Sequence, residues 1–176
     1  MGAKQQAYKT LANTMIKNFS KRNMEAFYCE DKKQAVSLAM DIMKDANTIG
    51  FGGSETLNEI GILDEIKNSS LTLIDRTTAK TPEEKKELYF KNAMSDYFLM
   101  SSNAVTIDGE LINIDGNGNR VACLIHGPEH VILIVGMNKV VTDVESGIAR
   151  VRNMASPANA ARLGTRTPCG AVGHCG

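Results

Sequence analysis

Short apolar segments alternate with amphipathic helical segments along most of the chain, and this alternation restricts its fold more than any other feature. Apolar spacing predicts helices at residues 4–22, 31–43, 55–67, 81–94, 120–125 and 142–154, and Asp31, Thr81 and Thr142 are predicted to cap the helices that begin with them. Strands are predicted between them, at residues 25–29, 48–51, 71–75, 96–100 and 131–135. Strands that alternate with helices indicate an α/β domain with a largely parallel sheet that helices cover on both faces.

One pair of strands is predicted to be antiparallel. Residues 104–107 and 111–115 are apolar runs on either side of Asp108-Gly109, and Asp-Gly between such runs is a strong signal for a β-hairpin. Together these elements predict a three-layer α/β/α, Rossmann-like domain with a mostly parallel sheet and one β-hairpin. We expect a single domain over residues 1–176, with a cysteine-containing tail from about residue 165.

Charge and hydropathy exclude several classes of partner. Twenty Lys and Arg residues balance twenty Asp and Glu residues, and no block of five like charges occurs, so the sequence indicates neither a nucleic-acid nor a membrane-surface partner. The longest apolar run, VILIV at residues 131–135, is far shorter than the roughly 20 residues that span a bilayer. The N-terminus lacks the apolar core of a signal peptide, so we expect a cytoplasmic protein.

Four loops that follow predicted strands are rich in small or polar residues. They are GGSET at residues 52–56, SSNAVT at 101–106, DGNGN at 115–119 and GMNK at 136–139. In open α/β sheets, ligands bind outside the carboxyl ends of the strands. The sequence therefore predicts a binding site for a small anion at these loops.

The first loop, Gly52-Gly53-Ser54, lies between a buried strand and a helix N-terminus. The backbone N–H groups of Gly53, Ser54 and Glu55 are suited to a carboxylate or a phosphate, and the Ser54 hydroxyl adds a donor. The alternative is that Ser54 is simply the N-cap of the helix. Glu55 is also a candidate catalytic carboxylate, although solvated surface acids are commoner.

The DGNGN loop carries a second part of the predicted site. Its Gly116, Asn117, Gly118 and Asn119 favour left-handed backbone conformations and are predicted to bind the polar groups of a ligand. Asp115 is the only acid of the loop and is a candidate general base or acceptor for a ligand hydroxyl. The alternative is that Asp115 caps the following helix.

Ser102, Asn103 and Lys139 complete the predicted site. Ser102 and Asn103 follow a buried strand and offer neutral donors and acceptors, or else they form the turn that leads into the hairpin. Lys139 follows the strand VILIV, where a lysine would offset the negative charge of a ligand. Arg76, after LTLID, occupies a comparable position.

The four cysteines fall into two groups. Cys29 and Cys123 are expected to be small buried apolar residues. Cys169, His174 and Cys175 lie together in the tail CGAVGHCG and are of metal-ligand types, whereas a closed zinc or iron–sulfur site normally needs four ligands. A metal-binding tail and a tail with two reduced thiols are both open interpretations.

Several long motifs resemble the LUD domain of bacterial lactate-utilisation proteins, over about residues 4–176. They are GGSETLNEIG, SDYFLMSSNAVTIDGELINIDGNGNRVA, VILIVGMNKVV and NMASPANAARL. The resemblance implies the fold class of ribose-5-phosphate isomerases and CoA transferases (NagB/RpiA-like). The isomerases of that class have a phosphate-binding Gly-Ser-Thr loop and an acidic Asp-Gly-Ala-Asp loop. Gly53-Ser54 and Asp115-Gly116 match these in part, with Asn117 or Asn119 where another acid is expected.

The resemblance further implies a lactate-utilisation protein that binds a hydroxy acid, or a phosphorylated or CoA-like ligand, at the strand-end loops. No nucleotide-binding fingerprint is evident, so oxidation of a hydroxy acid would require redox partner subunits. Two alternatives stay open. One is a non-catalytic subunit associated with an iron–sulfur partner, in which a completed cysteine tail would hold an iron–sulfur cluster or zinc. The other is an enzyme of the sugar-phosphate isomerase or CoA-transferase type. A homodimer is one expected assembly.

Overall fold

The computed structural model describes residues 2–175, in which helices and strands alternate. The helices are α1 (Ala3–Lys21), α2 (Lys32–Ile42), α3 (Glu55–Ile60), α4 (Ile62–Lys67), α5 (Pro82–Ala93), α6 (Asn119–Ile125), α7 (Val144–Arg150), α8 (Ser156–Leu163) and α9 (Pro168–Val172). The strands are β1 (Thr48–Phe51), β2 (Thr72–Ile74), β3 (Tyr97–Met100), β4 (Ala104–Thr106), β5 (Leu111–Ile112), β6 (His130–Leu133) and β7 (Val140–Val141). Within the described residues, none of the helices combines the length and the apolar character needed to cross a membrane.

The chain divides into two compact units. The first, which we call the sheet unit, consists of Cys29–Ser101 and Asp115–Val135. The second, the hairpin unit, consists of the described residues of Met1–Tyr28, Ser102–Ile114 and Gly136–Gly176.

The sheet unit is built around a four-stranded parallel sheet of order β2-β1-β3-β6. Successive side chains of a strand point to opposite faces, so Leu99 lies on one face of β3 while Phe98 and Met100 lie on the other. Leu99 belongs to an apolar cluster with β1 and helices α2, α3 and α4. Phe98 and Met100 pack instead with Cys123 of α6 and Ala93 of α5. Helices thus cover both faces, which confirms the predicted three-layer α/β/α arrangement.

The hairpin unit contains a three-stranded sheet of order β5-β4-β7, in which β4 and β5 are antiparallel. The predicted hairpin is therefore confirmed, and its turn places Gly109 at a φ of 91°, a left-handed conformation that glycine adopts without strain. The residue that follows α1 fixes this hairpin, because Arg22 Nε donates to the carbonyl oxygen of Asp108 at 2.8 Å.

Two helix starts are determined by the capping residues that the sequence predicts. The Thr81 hydroxyl accepts from the N–H of Glu84 at 3.2 Å, and the Glu84 carboxylate accepts from the N–H of Thr81 at 3.3 Å, so the two form a capping box with Pro82 in the first turn. Asp31 likewise caps α2 by accepting from the N–H of Gln34 at 2.9 Å.

Three local predictions are wrong. Residues 25–29 form no strand, since the segment pairs with no strand in the described part of the chain. The helix predicted over residues 55–67 is interrupted at Gly61, whose φ of 79° ends α3 before α4 begins. The N-cap of α7 is Asp143, which accepts from the N–H of Ser146 at 2.7 Å, and not Thr142.

The helical region after α7 contains a π-helical turn, Val151–Ala155, before α8. Pro157 follows it closely and is in the first turn of α8. A proline has no N–H to donate and its ring displaces the carbonyl four residues earlier, which explains a wider turn at this point.

Candidate anion-binding site

The turn after β1 lies at the carboxyl edge of the parallel sheet. The N–H of Gly52 donates to the carbonyl oxygen of Leu99 at 2.9 Å, so pairing between β1 and β3 continues to the start of the turn. Gly52 is buried and Gly53 is exposed. The chain therefore leaves the sheet at Gly53, in the position where open α/β sheets bind ligands.

Arg120 packs against this turn from the first turn of α6. Its Cγ and Cδ atoms would each lie 3.1 Å from a Cβ atom added to Gly52, so only glycine fits there without displacing the arginine. The guanidinium donates through Nη1 to the carbonyl oxygen of Ser101 at 2.8 Å, and the residue is 8% exposed. Burial lowers the pKa of Arg120, and the charge of Asp115 acts in the opposite direction.

Asp115 caps α6. Its Oδ2 accepts from the N–H groups of Arg120 at 2.9 Å and Val121 at 3.0 Å. This is the capping role that the sequence left open as the alternative to catalysis. The role of Asp115 as a general base stays a prediction, and it would have to operate through a carboxylate with one oxygen already bonded to the helix.

Arg76 approaches the same turn from the end of β2. With the amide of Asn119 oriented to suit both partners, Asn119 Oδ1 accepts from Arg76 Nη1 at 2.7 Å. Arg76 Nη2 would lie 2.5 Å from a Cβ atom on Gly53, so the guanidinium lies directly against the glycine. The carboxylate next to it in sequence, that of Asp75, bonds to the N–H of Thr77 at 2.9 Å and lies 3.8 Å from Lys67 Nζ.

Arg76 is thus a half-buried cation. Among the described residues, no carboxylate lies within ion-pair distance of its guanidinium. Its hydrogen-bond partner is the neutral amide of Asn119. A charged group that is partly removed from water without a counter-ion is costly unless another ion occupies the site.

The remaining predicted residues of the sheet unit lie in the turn after β1 or in the loop before α6. Ser54 is the N-cap residue of α3, although its side chain makes no capping bond, and Glu55 is the exposed first residue of that helix. Gly116, Asn117 and Gly118 form an exposed loop before α6. The structure therefore joins Gly52, Gly53, Asp115 and Asn119 with two arginines in one cluster.

Ser102 and Asn103 belong to the hairpin unit, where both brace the hairpin. The Ser102 hydroxyl is buried and donates to the carbonyl oxygens of Ala104 at 2.7 Å and Ile112 at 3.2 Å. Asn103 Oδ1 accepts from the N–H of Ile114 at 3.0 Å. These bonds correspond to the turn that was the alternative interpretation, and the ligand-binding roles of both residues stay predictions.

Lys139 is half-buried at the end of a 3₁₀ turn, Met137–Lys139, in the hairpin unit. Nearby in that unit, Arg150 donates to the carbonyl oxygens of Asn103 and Asn138. Burial lowers the pKa of Arg150. The predicted ligand contact of Lys139 stays a prediction.

The tail does not form a metal site in the described part of the chain, where no three His, Cys, Asp or Glu side chains are grouped so that they could hold a metal ion. Cys169 Sγ lies 3.2 Å from the Thr167 hydroxyl, and His174 Nδ1 lies 3.2 Å from the carbonyl oxygen of Cys175. These donors do not fit zinc or an iron–sulfur cluster as they stand. Cys123, by contrast, is buried as predicted.

The sequence alone does not show the importance of Arg76 and Arg120. The sequence identifies Arg76 only by its position after a strand, and Arg120 only as the start of a short helix. The sequence does contain one signal. Arg76 at the end of a strand and Arg120 at the start of a helix are predicted to lie at the same edge of the sheet as a glycine turn. That signal does not distinguish a buried arginine from a solvated one, because burial depends on packing between distant segments.

Comparison with known protein families identifies the family to which the chain is similar. A family model described as the LUD domain matches residues 12–175. No curated protein and no solved structure matches the chain significantly.

Proposed function

The chain belongs to the LUD domain family, which is related to lactate utilisation, and we propose that it binds a small anionic metabolite at the turn after β1. Arg76 is the principal cation of the proposed site. Gly52 and Gly53 form its floor, and Arg120 and Asn119 hold the surrounding groups in position.

One observation carries this proposal: the half-buried guanidinium of Arg76 has a neutral partner at 2.7 Å in place of a carboxylate. Arginine presents donors in a fixed fork that matches a carboxylate or a phosphate. An anion bound against Gly53 would supply the missing counter-charge. It would also explain why the turn has no side chain beside the guanidinium.

The family and the site together support the proposed class of ligand. A hydroxy acid is the ligand that lactate utilisation suggests, while a phosphorylated or CoA-like ligand would suit the same donors. Removing a hydride from a hydroxy acid requires an electron acceptor. We therefore propose that any oxidation takes place with redox partner subunits and that this chain contributes the anion site.

The proposal is tested with two variants that act on Arg76 in different ways. Arg76→Gln removes the charge. Gly53→Ala adds a Cβ atom 2.5 Å from Arg76 Nη2, and because that atom is the end of a flexible side chain, the fold can adapt by displacing the guanidinium. Lys80→Gln is the matched control, since it removes one positive charge from an exposed position of the same unit.

Binding is measured by isothermal titration with hydroxy acids, sugar phosphates and acyl-CoAs, after a thermal-shift screen. A ligand present at 100 times its dissociation constant stabilises the fold by about 2.7 kcal/mol, which a thermal shift detects. Both Arg76→Gln and Gly53→Ala are expected to weaken binding roughly ten- to hundredfold, as the loss of a hydrogen bond to a charged group costs about 1.5–3 kcal/mol. Lys80→Gln should bind as wild type does.

The proposal is wrong if no compound binds to the wild-type protein. It is also wrong if a ligand binds equally well to wild type and to both Arg76→Gln and Gly53→Ala. In either case the turn after β1 would be a structural connection only.

A further inference from the structure

The acceptor that holds Arg76 is a neutral amide. Asn119 Oδ1 accepts from Arg76 Nη1 at 2.7 Å and from the N–H of Arg120 at 3.3 Å. A carboxylate in the same position could make both contacts, but it would neutralise the guanidinium. The amide thus fixes the direction of the guanidinium and leaves its charge available to another group.

The acid of the same loop is directed elsewhere. Asp115 Oδ2 accepts from the N–H groups of Arg120 and Val121 at the start of α6, where a negative charge is favoured by the helix dipole. The charge of Asp115 acts on Arg120. Glu55 is also near the turn, but it is exposed, and water and salt screen an exposed charge.

The charges of the cluster therefore leave one positive charge uncompensated. Two guanidinium groups, Arg76 and Arg120, stand against one carboxylate, Asp115, whose Oδ2 is bonded to N–H groups of α6, so these three side chains carry a net charge of +1. A single carboxylate on a ligand would balance Arg76. A second negative charge on the same ligand would exceed the net positive charge of the cluster and would be repelled by Asp115.

We propose that Asn119 determines the specificity of this site: it orients Arg76 without neutralising it, so that the site selects singly charged carboxylates over doubly charged anions. This inference rests on the proposed function, because it concerns the ligand of the same site. Asn119 acts through Arg76 and is a positioning residue.

Two substitutions at this position separate charge from orientation. Asn119→Asp keeps an acceptor oxygen and adds a charge, whereas Asn119→Ala removes the acceptor and leaves the charge of Arg76 intact. An acid is favourable at the first residue of α6, so Asn119→Asp is expected to fold at least as stably as wild type. Asn58→Asp is the matched control, because it adds the same charge at an exposed position of α3.

The measurement is isothermal titration at constant ionic strength and pH 7.5 with three probes: glycolate, malonate and sulfate. Wild type should bind glycolate more tightly than either doubly charged probe. Asn119→Asp should weaken glycolate binding roughly tenfold or more, since it neutralises the charge that the ligand needs. Asn119→Ala should weaken it by roughly two- to fivefold, because an unheld side chain must be ordered on binding, and Asn58→Asp should leave it unchanged.

The outcomes distinguish this inference from the proposed function. If wild type binds glycolate, Arg76→Gln does not, and Asn119→Asp binds it as tightly as wild type, the anion site stands and the role of Asn119 is wrong. A wild type that prefers malonate or sulfate overturns the charge selection. If the wild-type protein binds none of the three probes, both the selection of carboxylates and the proposed anion site are wrong.

Discussion

Replacing Gly50 with alanine is predicted to destabilise the sheet unit by about 1–5 kcal/mol. A Cβ atom on Gly50 would lie 2.7 Å from Asn92 Oδ1, 2.8 Å from Ser95 Oγ and 3.0 Å from Phe98 Cδ2. Asn92, Ser95 and Phe98 are all buried, so none of these atoms can move into solvent. The alanine must therefore displace packed atoms at the centre of β1.

Two costs contribute to this magnitude. Overpacking a core typically costs about 1–3 kcal/mol. Asn92 Oδ1 also accepts from the N–H of Phe51 at 2.8 Å, and losing that bond would leave a buried donor without a partner, at a further cost of about 1–3 kcal/mol. Alanine restricts the unfolded chain more than glycine does, but that gain is only about 0.4–1 kcal/mol and does not offset the clash.

The free energy of unfolding is measured by urea denaturation for wild type, Gly50→Ala, Asn92→Ala and the double variant. Asn92→Ala removes the closest clashing atom, so the double variant should be less destabilised than the sum of the two single variants by at least about 1 kcal/mol. Gly116→Ala is the control for stability, because a Cβ atom there meets nothing within 4 Å. A Gly50→Ala protein as stable as the Gly116→Ala protein, or strictly additive single variants, would refute the steric argument.

Three further predictions concern pH, capping and thiol reactivity. The N–H groups of Thr48 and Asn47 lower the pKa of the Asp96 carboxyl below its ordinary value of 3.8, so the stabilisation from Asp96 is present above that value and is lost as pH falls through the lower pKa of the folded state; urea denaturation between pH 6 and pH 3 should show a smaller acid-induced loss for Asp96→Asn, and parallel profiles would contradict this. Thr81→Ala should cost about 0.5–2 kcal/mol in thermal unfolding through loss of the α5 cap, whereas Thr81→Ser should cost less, and equal losses would argue against the cap. Burial raises the pKa of Cys123, so timed alkylation followed by mass spectrometry should label it more slowly than Cys169 in the folded protein and at a similar rate in urea; equal rates in the folded protein would contradict its burial.

The elements that sequence predicts correctly are those with strong local signals. Thr81 and Glu84 specify the start of α5 through contacts within four residues, and Asp108-Gly109 specifies the hairpin turn in the same way. The central strand β3 is continuous and apolar, as expected of a strand that helices cover on both faces. Local chemistry is therefore sufficient for the order of elements and for the three-layer architecture.

The errors occur where a distant partner decides the outcome. Residues 25–29 have the composition of a short strand, but a strand exists only where a neighbour accepts its hydrogen bonds. Gly61 lies inside an apolar helical pattern that is compatible with one continuous helix. Its left-handed conformation is required only by the path of the chain between α3 and α4. Neither requirement can be predicted from the neighbouring residues alone.

The candidate site shows the same limit at the level of single side chains. In the DGNGN loop, both a carboxylate and an amide can accept hydrogen bonds, so the sequence does not say which of them reaches an arginine. The start of α6 decides it: Asp115 takes the N–H groups at the helix terminus, where its charge is most favourable, and Asn119 is left facing Arg76. Exchanging the two residue types would retain the composition of the loop but place the charge on Arg76. The proposed binding of an anion therefore depends on which acceptor the helix takes, and that can be determined only once α6 and the turn after β2 are placed together.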